Sequence, residues 1–447
     1  MIYNKVPIVK NIWSLKISFK KLKKKQLISI KRLPFRLFFY LTFTAVMGIL
    51  FTPASVFSQK EIEFYSSHRS SEPLSTLKPE TNSIRSRMSR GYSIPVIDLS
   101  RDSFRQVCVD RESGQYLGHP TTVLLEDHKT IVIVYPKGHG RGAIVMKRST
   151  DAGLTWSERL PVPENWTTSQ EVPTIYRTVD KKGKKRLILF SGLYPIRMSV
   201  SKDDGITWSP LDPIGDFGGI VAMSSCLQLK NGDYLALFHD DGRFFKKEGK
   251  PEEPPVFTIY QTRSRDGGLT WEQPEPILSH PQAHLCEPGV IRSPDGKQLA
   301  VLMRENSRRL NSFVSFSSDE GRTWSKPREL PGSLTGDRHV GHYAPDGRLF
   351  ISFRDTTHIS PTKGDWVGWV GHYEDIVSGK EGQYRVRLMD NKKNADCAYP
   401  GVEVLPDGTF IVITYGHWTE EKMPYIVSVR FKLSELDDIY QKMLKAR

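Results

Sequence analysis

Six stretches of this chain begin around residues able to bind an anion or move a proton, and strand-type sequence follows each. These positions are His119, Glu171, Ser224, Glu287, Arg338 with His339, and Tyr399. The strands that return from them end near Lys137, His239 with Asp240 and Asp241, Arg304, Arg354 and Tyr415. Arginine and lysine hold carboxylates, while glutamate, histidine and tyrosine exchange protons, so these types together suit acid–base work on an anionic substrate. Such a set is too polar to be packing, because burying it without offsetting pairs or a ligand is costly. No cofactor is implied. Cys108, Cys226, Cys286 and Cys397 lack CxxC spacing, so a zinc site is not expected, and free thiols in strands are favoured over a disulfide.

A repeat supplies the elements that would position these groups. The phrase SxDxGxTW occurs four times, at Ser149 to Trp156, Ser201 to Trp208, Ser264 to Trp271 and Ser317 to Trp324. Asp151, Asp203, Asp266 and Asp319 can fold back onto nearby N–H groups, and the glycine two residues on supplies positive φ, so each copy is a tight turn. A carboxylate needed once or twice in a site does not recur four times around a ring, so these aspartates read as structural. Hairpins recur as well, over His119 to Tyr135, Glu171 to Phe190, Ala222 to Phe238, Glu287 to Met303, His339 to Phe353 and Tyr399 to Tyr415. Their turns are plainest at Asp295-Gly296, Asp346-Gly347 and Asp407-Gly408. Six hairpins predict an all-β, six-bladed β-propeller over residues 91–447, with the first strands meeting at one central opening. Ile94 to Leu99 is expected to close the ring as the outer strand of the last blade. A C-terminal helix is expected to start at Ser434, capped with Asp437 three residues on.

The phrase is the Asp-box, and the chain resembles the sialidase (neuraminidase) superfamily, whose BNR-repeat propellers carry it. The resemblance implies a tyrosine nucleophile, a glutamate as its base, arginines for the substrate carboxylate and an aspartate as acid/base. The stretch CEPGVIRSPDGKQLAVLMREN is similar to the family segment that would make Glu287 the base and Arg304 a carboxylate ligand. CAYPGVEVLPDGTFIVITY resembles the one carrying the nucleophile, at Tyr399, and GDRHVGHYAPDGRLF assigns a second arginine to Arg338, with His339 beside it. A neutral phenol suits an anionic sugar, since a carboxylate nucleophile would be repelled. Two parts of the pattern are missing. Gly118-His119-Pro120 lacks the first-blade arginine, and PKGHGRGAI, over Pro136 to Ile144, lacks an acid. Lys137 or Arg141 could replace the charge, and His119 or His139 the acid/base; Glu171, Asp240 or Asp241 could reach in from neighbouring blades. Arg354 and Arg243 read as surface or supporting charges. The glycines around His139 do not form a phosphate cradle, because no helix start follows.

The net charge of +14 is uneven. Eleven of the 64 basic residues precede Leu37, and the other 53 nearly balance 50 acidic ones, so no nucleic-acid surface is expected. The basic start and the apolar run Leu37 to Phe51 read as an export signal over residues 1–58, cleaved after Ser58, with a membrane anchor as the alternative. Residues 59–90 read as a disordered linker. The expected protein is a secreted or periplasmic exo-glycosidase that removes a terminal acidic sugar from glycans. A uronate-specific lyase, or a glycan-binding propeller without catalysis, would use nearly the same residues.

Overall fold

The computed structural model describes residues 90–245 and 256–446. The leader expected over 1–58 and, apart from residue 90, the linker expected over 59–90 lie outside the described residues.

Alternation with period two builds the ring. In the strand Ile131–Pro136, Ile131, Ile133 and Tyr135 pack with Ile411, Ile413 and Tyr415 on one side. Val132 and Val134 pack with Leu187 and Leu189 on the other. A strand apolar on both faces needs a sheet on each, and the same division recurs from sheet to sheet. Ile188 and Phe190 meet Ala236 and Phe238; Leu235 and Leu237 meet Val301 and Met303; Ala300 and Leu302 meet Ile351 and Phe353; Phe350 meets Phe410 and Val412. Six sheets thus hold six apolar layers between them, and each fully buried Ile, Leu or Phe contributes roughly 1.5–3 kcal/mol. The first strands are Thr121–Leu124, Thr174–Val179, Ile220–Gln228, Leu285–Arg292, Gly336–Tyr343 and Gly401–Val404. Each lies against the next and the sixth against the first, so the described residues form a six-bladed β-propeller.

Closure differs from expectation. The outer strand of the sixth blade is Gln106–Asp110, antiparallel to Tyr425–Lys432. Val96–Asp98 instead runs parallel to Tyr384–Met389 and gives the fifth blade a fifth strand. The later segment carries Val109, which packs with the layer between the sixth and first blades, while Ile97 and Leu99 pack in the fifth-to-sixth layer. The C-terminal helix is Leu433–Lys445, one residue earlier than expected, with the Glu435 carboxylate accepting the Lys432 N–H at 3.3 Å. Asp437 does not cap it; its two oxygens accept from Arg348 at 2.8 and 2.7 Å, and one also from the Tyr384 hydroxyl at 2.8 Å. All four cysteines are free, and Cys108 is exposed rather than buried.

The four repeated phrases make one turn four times. In the last, Asp319 Oδ1 accepts from Ser317 Oγ at 2.8 Å, Arg322 N at 3.0 Å and Thr323 N at 2.9 Å, and Oδ2 accepts from Thr323 Oγ1 at 2.6 Å. Gly321 has φ +76°, and a Cβ there would lie 2.8 Å from Leu235 of the preceding blade, so glycine is required twice over. The closing tryptophans also reach backwards: Trp271 meets the Phe190 ring edge-on at 5.5 Å, and Trp324 Nε1 donates to Gln261 at 3.2 Å. Asp319→Ala is expected to lower stability by about 1–2 kcal/mol in chemical denaturation and leave turnover unchanged. A variant equally stable but inactive would return these aspartates to the chemistry.

Candidate active site

The mouth of the channel is shaped by backbone in the left-handed region. His119, Val221, Glu287, Arg338 and Ala398 have φ of 54°, 47°, 51°, 57° and 58°, each at or just before a first strand. In the third, fourth and fifth blades the pairing register also slips there, as in a β-bulge. Such conformations cost of order 1–3 kcal/mol each and re-aim the side chains they carry.

Glu287 and Tyr399 meet across the opening. The Tyr399 hydroxyl donates to Glu287 Oε1. Arg304 Nη1 donates to the same oxygen at 2.6 Å and lies 3.3 Å from the tyrosine oxygen. Glu287 Oε2 is buried and has no hydrogen-bond partner among the described residues. Burial pushes the Glu287 carboxyl up, but the Arg304 charge and the Tyr399 hydrogen bond outweigh it and hold it below its ordinary value. Burial, then the Glu287 charge, raise the Tyr399 hydroxyl well above its ordinary value. The pair therefore rests as a carboxylate and a neutral phenol.

Asp337, fully buried, gathers three arginines behind this pair. Arg308 grips it at 2.5 and 2.8 Å, Arg354 at 2.8 and 2.7 Å, and Arg304 Nε lies 3.3 Å away. The Arg354 guanidinium lies 5.7 Å over the Tyr399 ring. Three guanidinium groups face two carboxylates, Asp337 and Glu287, so this cluster by itself carries a net positive charge. Arg354 pairs with Asp337 on the ladder as Arg304 pairs with Cys286, so the two arginines occupy equivalent places in neighbouring blades.

Other expected residues fall elsewhere. Arg338 is buried and donates to the Ser224 carbonyl at 2.7 Å, with no bond to Glu287, Tyr399 or Arg304 among the described residues. Arg354, expected as a surface or supporting charge, is the one against Tyr399. His339 turns away, its Nε2 2.9 Å from the Leu334 carbonyl and its ring on Phe353. Asp240 accepts the N–H groups of Gly242, Phe244 and Phe245 and so holds its own loop. Asp241 pairs with Arg243 at 2.6 Å. Lys137 pairs with Glu112 at 3.0 Å, and Arg141 is exposed. Glu171 is buried and accepts the Val221 N–H at 3.0 Å and the Val172 N–H at 3.1 Å; burial pushes its carboxyl up to about 7.

His119 is close to the pair but fully engaged. Its ring lies 4.5 Å from that of Tyr399. Nδ1 accepts the Gly140 N–H at 3.1 Å, and Nε2 lies 3.1 Å from the Tyr415 hydroxyl. Burial lowers its pKa well below the ordinary value, so it is neutral and both nitrogens have partners, which leaves none for acid–base exchange. His139 is different: its side chain is 66% exposed and sits at the rim. Asp396, Tyr116 and Arg308 also stand at the mouth, and none was expected from the sequence.

The family model for the BNR repeat-like domain matches residues 103–412. The chain belongs to that family. No curated protein matches it. Among solved structures, a protein of unknown function from Dyadobacter fermentans DSM 18053 superposes with TM-score 0.59 at 16% identity, over 73% of this chain and 97% of its own. The leech intramolecular trans-sialidase, complexed with 2,7-anhydro-Neu5Ac, gives TM-score 0.51 at 16% identity, over 74% of this chain and 71% of its own. The Hadza microbial sialidase Hz136 gives 0.51 at 18% identity, over 72% and 66%. At these identities the likeness carries the fold, so this BNR-repeat protein has a sialidase-like propeller.

Proposed function

We propose that this BNR-repeat propeller is an exo-glycosidase of the sialidase type, hydrolysing a terminal acidic sugar, sialic acid or a related one, from glycans. The observation that carries the reading is the Tyr399 hydroxyl on the Glu287 carboxylate, with Arg304 touching both. Glu287, ionised at rest, takes the phenolic proton as Tyr399 Oη attacks the anomeric carbon, so no free phenolate need form in the buried site. Arg304 and Arg354, with Arg308 at the rim, supply the positive charge that draws in the sugar carboxylate. Arg354 takes the place assigned from sequence to Arg338. The basic, apolar leader supports action on glycans outside the cytoplasm.

The experiment is a panel of sialosides and uronate-capped oligosaccharides, with products read by mass and by absorbance near about 235 nm, where unsaturated uronates absorb. Gain of one water with release of the free acidic sugar is expected. An unsaturated product would replace hydrolysis by elimination, and binding without turnover would make the propeller a lectin-like module.

A further inference from the structure

The first-blade loop carries no acid, yet a carboxylate reaches it from the sixth blade. Asp396 stands three residues before Tyr399 and extends to the loop of His139, its Oδ1 3.4 Å from His139 Nδ1. Tyr116 joins them, its hydroxyl donating to Asp396 Oδ1 at 2.7 Å and lying 2.7 Å from His139 Nδ1. With that hydroxyl proton given to Asp396, its lone pair takes the Nδ1 proton of His139. The imidazole is thereby held as the Nδ1–H tautomer, and Nε2 has no partner among the described residues. The other oxygen of Asp396 is held by His417 Nε2 at 3.0 Å, so the carboxylate is anchored from behind. Burial pushes Asp396 up, but the hydrogen bonds and charge of His139, with Tyr116 and His417, outweigh it and keep it ionised. The His119 ring lies 4.8 Å from that of His139 and 4.5 Å from that of Tyr399, so one histidine packs against both.

We propose that His139 is the acid/base of the reaction and that Asp396, through Tyr116, is its positioning residue. The assignment rests on the hydrolase reading above. In the first step the His139 imidazolium gives its Nε2 proton to the glycosidic oxygen as that bond to the anomeric carbon breaks. Tyr399 Oη forms the new bond, and its proton passes to Glu287. In the second step water attacks the anomeric carbon and loses a proton to His139 Nε2. The bond to Tyr399 breaks, and Glu287 returns the phenolic proton. Asp396 and Tyr116 fix the imidazole by its Nδ1 and so leave Nε2 to carry the proton in both steps. Tyr116, His119 and Asp396 face the imidazole, and His417 and Tyr415 reach it through Asp396. Lys137 and Arg141 share its loop, Lys137 being turned to Glu112.

The test uses the full chain and two glycosides of each acidic sugar in the panel. The 4-methylumbelliferyl glycoside has a leaving group that departs without an acid, whereas the lactoside needs one. His139→Ala is expected to lose about a hundredfold or more in kcat/KM on the lactoside and less than about tenfold on the aryl glycoside. Asp396→Asn and Tyr116→Phe are expected to show the same leaving-group dependence more weakly. Both losses should fall in kcat rather than KM, because the sugar still binds while the acid is no longer held in place. Equal losses on the two glycosides in His139→Ala, or a loss confined to KM in Asp396→Asn, would overturn the assignment and leave the hydrolase reading standing. A wild type inert on every sugar of the panel ends both.

Discussion

Tyr399→Phe is expected to lower kcat/KM on the acidic glycoside by at least about a thousandfold with the fold intact. The ring remains against His119 and under Arg354, so packing changes little; what disappears is the oxygen that forms the covalent bond. Glu287→Gln keeps the shape and a hydrogen bond to the phenol but cannot take its proton, and a loss of about 10²–10⁴-fold follows. The pH profile gives a separate check. Glu287 acts in its ionised form, so activity rises with pH through its pKa and levels off above it. Because that pKa is lowered from 4.5, the acid limb of the wild type falls below pH 4.5 and vanishes in Glu287→Gln. A Tyr399→Phe enzyme that keeps a tenth of the wild-type rate would remove the tyrosine from its role and favour a histidine-driven elimination.

Much of this architecture is written in short-range pattern. Gly321 and Asp319 announce their turn because positive φ and a folded-back carboxylate are local requirements. The alternation in Ile131–Pro136 announces two flanking sheets because each side chain must face one of them. The closing strand was harder: Val96–Asp98 and Gln106–Asp110 are both short and partly apolar, and only the finished ring decides which edge each meets. At the site, Glu287 and Tyr399 are legible through their flanking segments, and Arg354 through its place beside Arg304 at the strand ends, although its contact with Tyr399 is not. The strands LAVLMRE, Leu299–Glu305, and LFISFRD, Leu349–Asp355, share length and pattern, with arginine sixth in both. Equivalent places in neighbouring blades group Arg354 with Arg304, whereas Arg338 lies on a first strand. Asp396 and Tyr116 carry no such signal, since both lie outside the hairpins and meet His139 only because the sixth blade closes on the first.

Asp337→Ala is expected to cost about 3–5 kcal/mol of stability, the usual penalty for removing one partner of a buried ion pair. The figure belongs at the upper end here, because three guanidinium groups share the one carboxylate and would repel each other without it. Burial alone would raise its pKa; the charges of Arg304, Arg308 and Arg354 outweigh this and hold it far below its ordinary value. A depressed folded-state pKa contributes stability that is fully present above the unfolded value of 3.8 and fades as pH falls below it. The wild type should therefore lose stability on acidification below pH 3.8 in part through this group, and Asp337→Ala should lack that part of the loss. Denaturant titrations of both proteins across that range supply the measurement. The same removal adds one positive charge to the mouth, so a variant that still folds should bind an anionic sugar more tightly while turning it over more slowly, Arg304 having lost its brace. Unchanged stability in Asp337→Ala would mean that the three arginines are held by something other than this carboxylate, and the electrostatic frame behind Tyr399 would have to be redrawn.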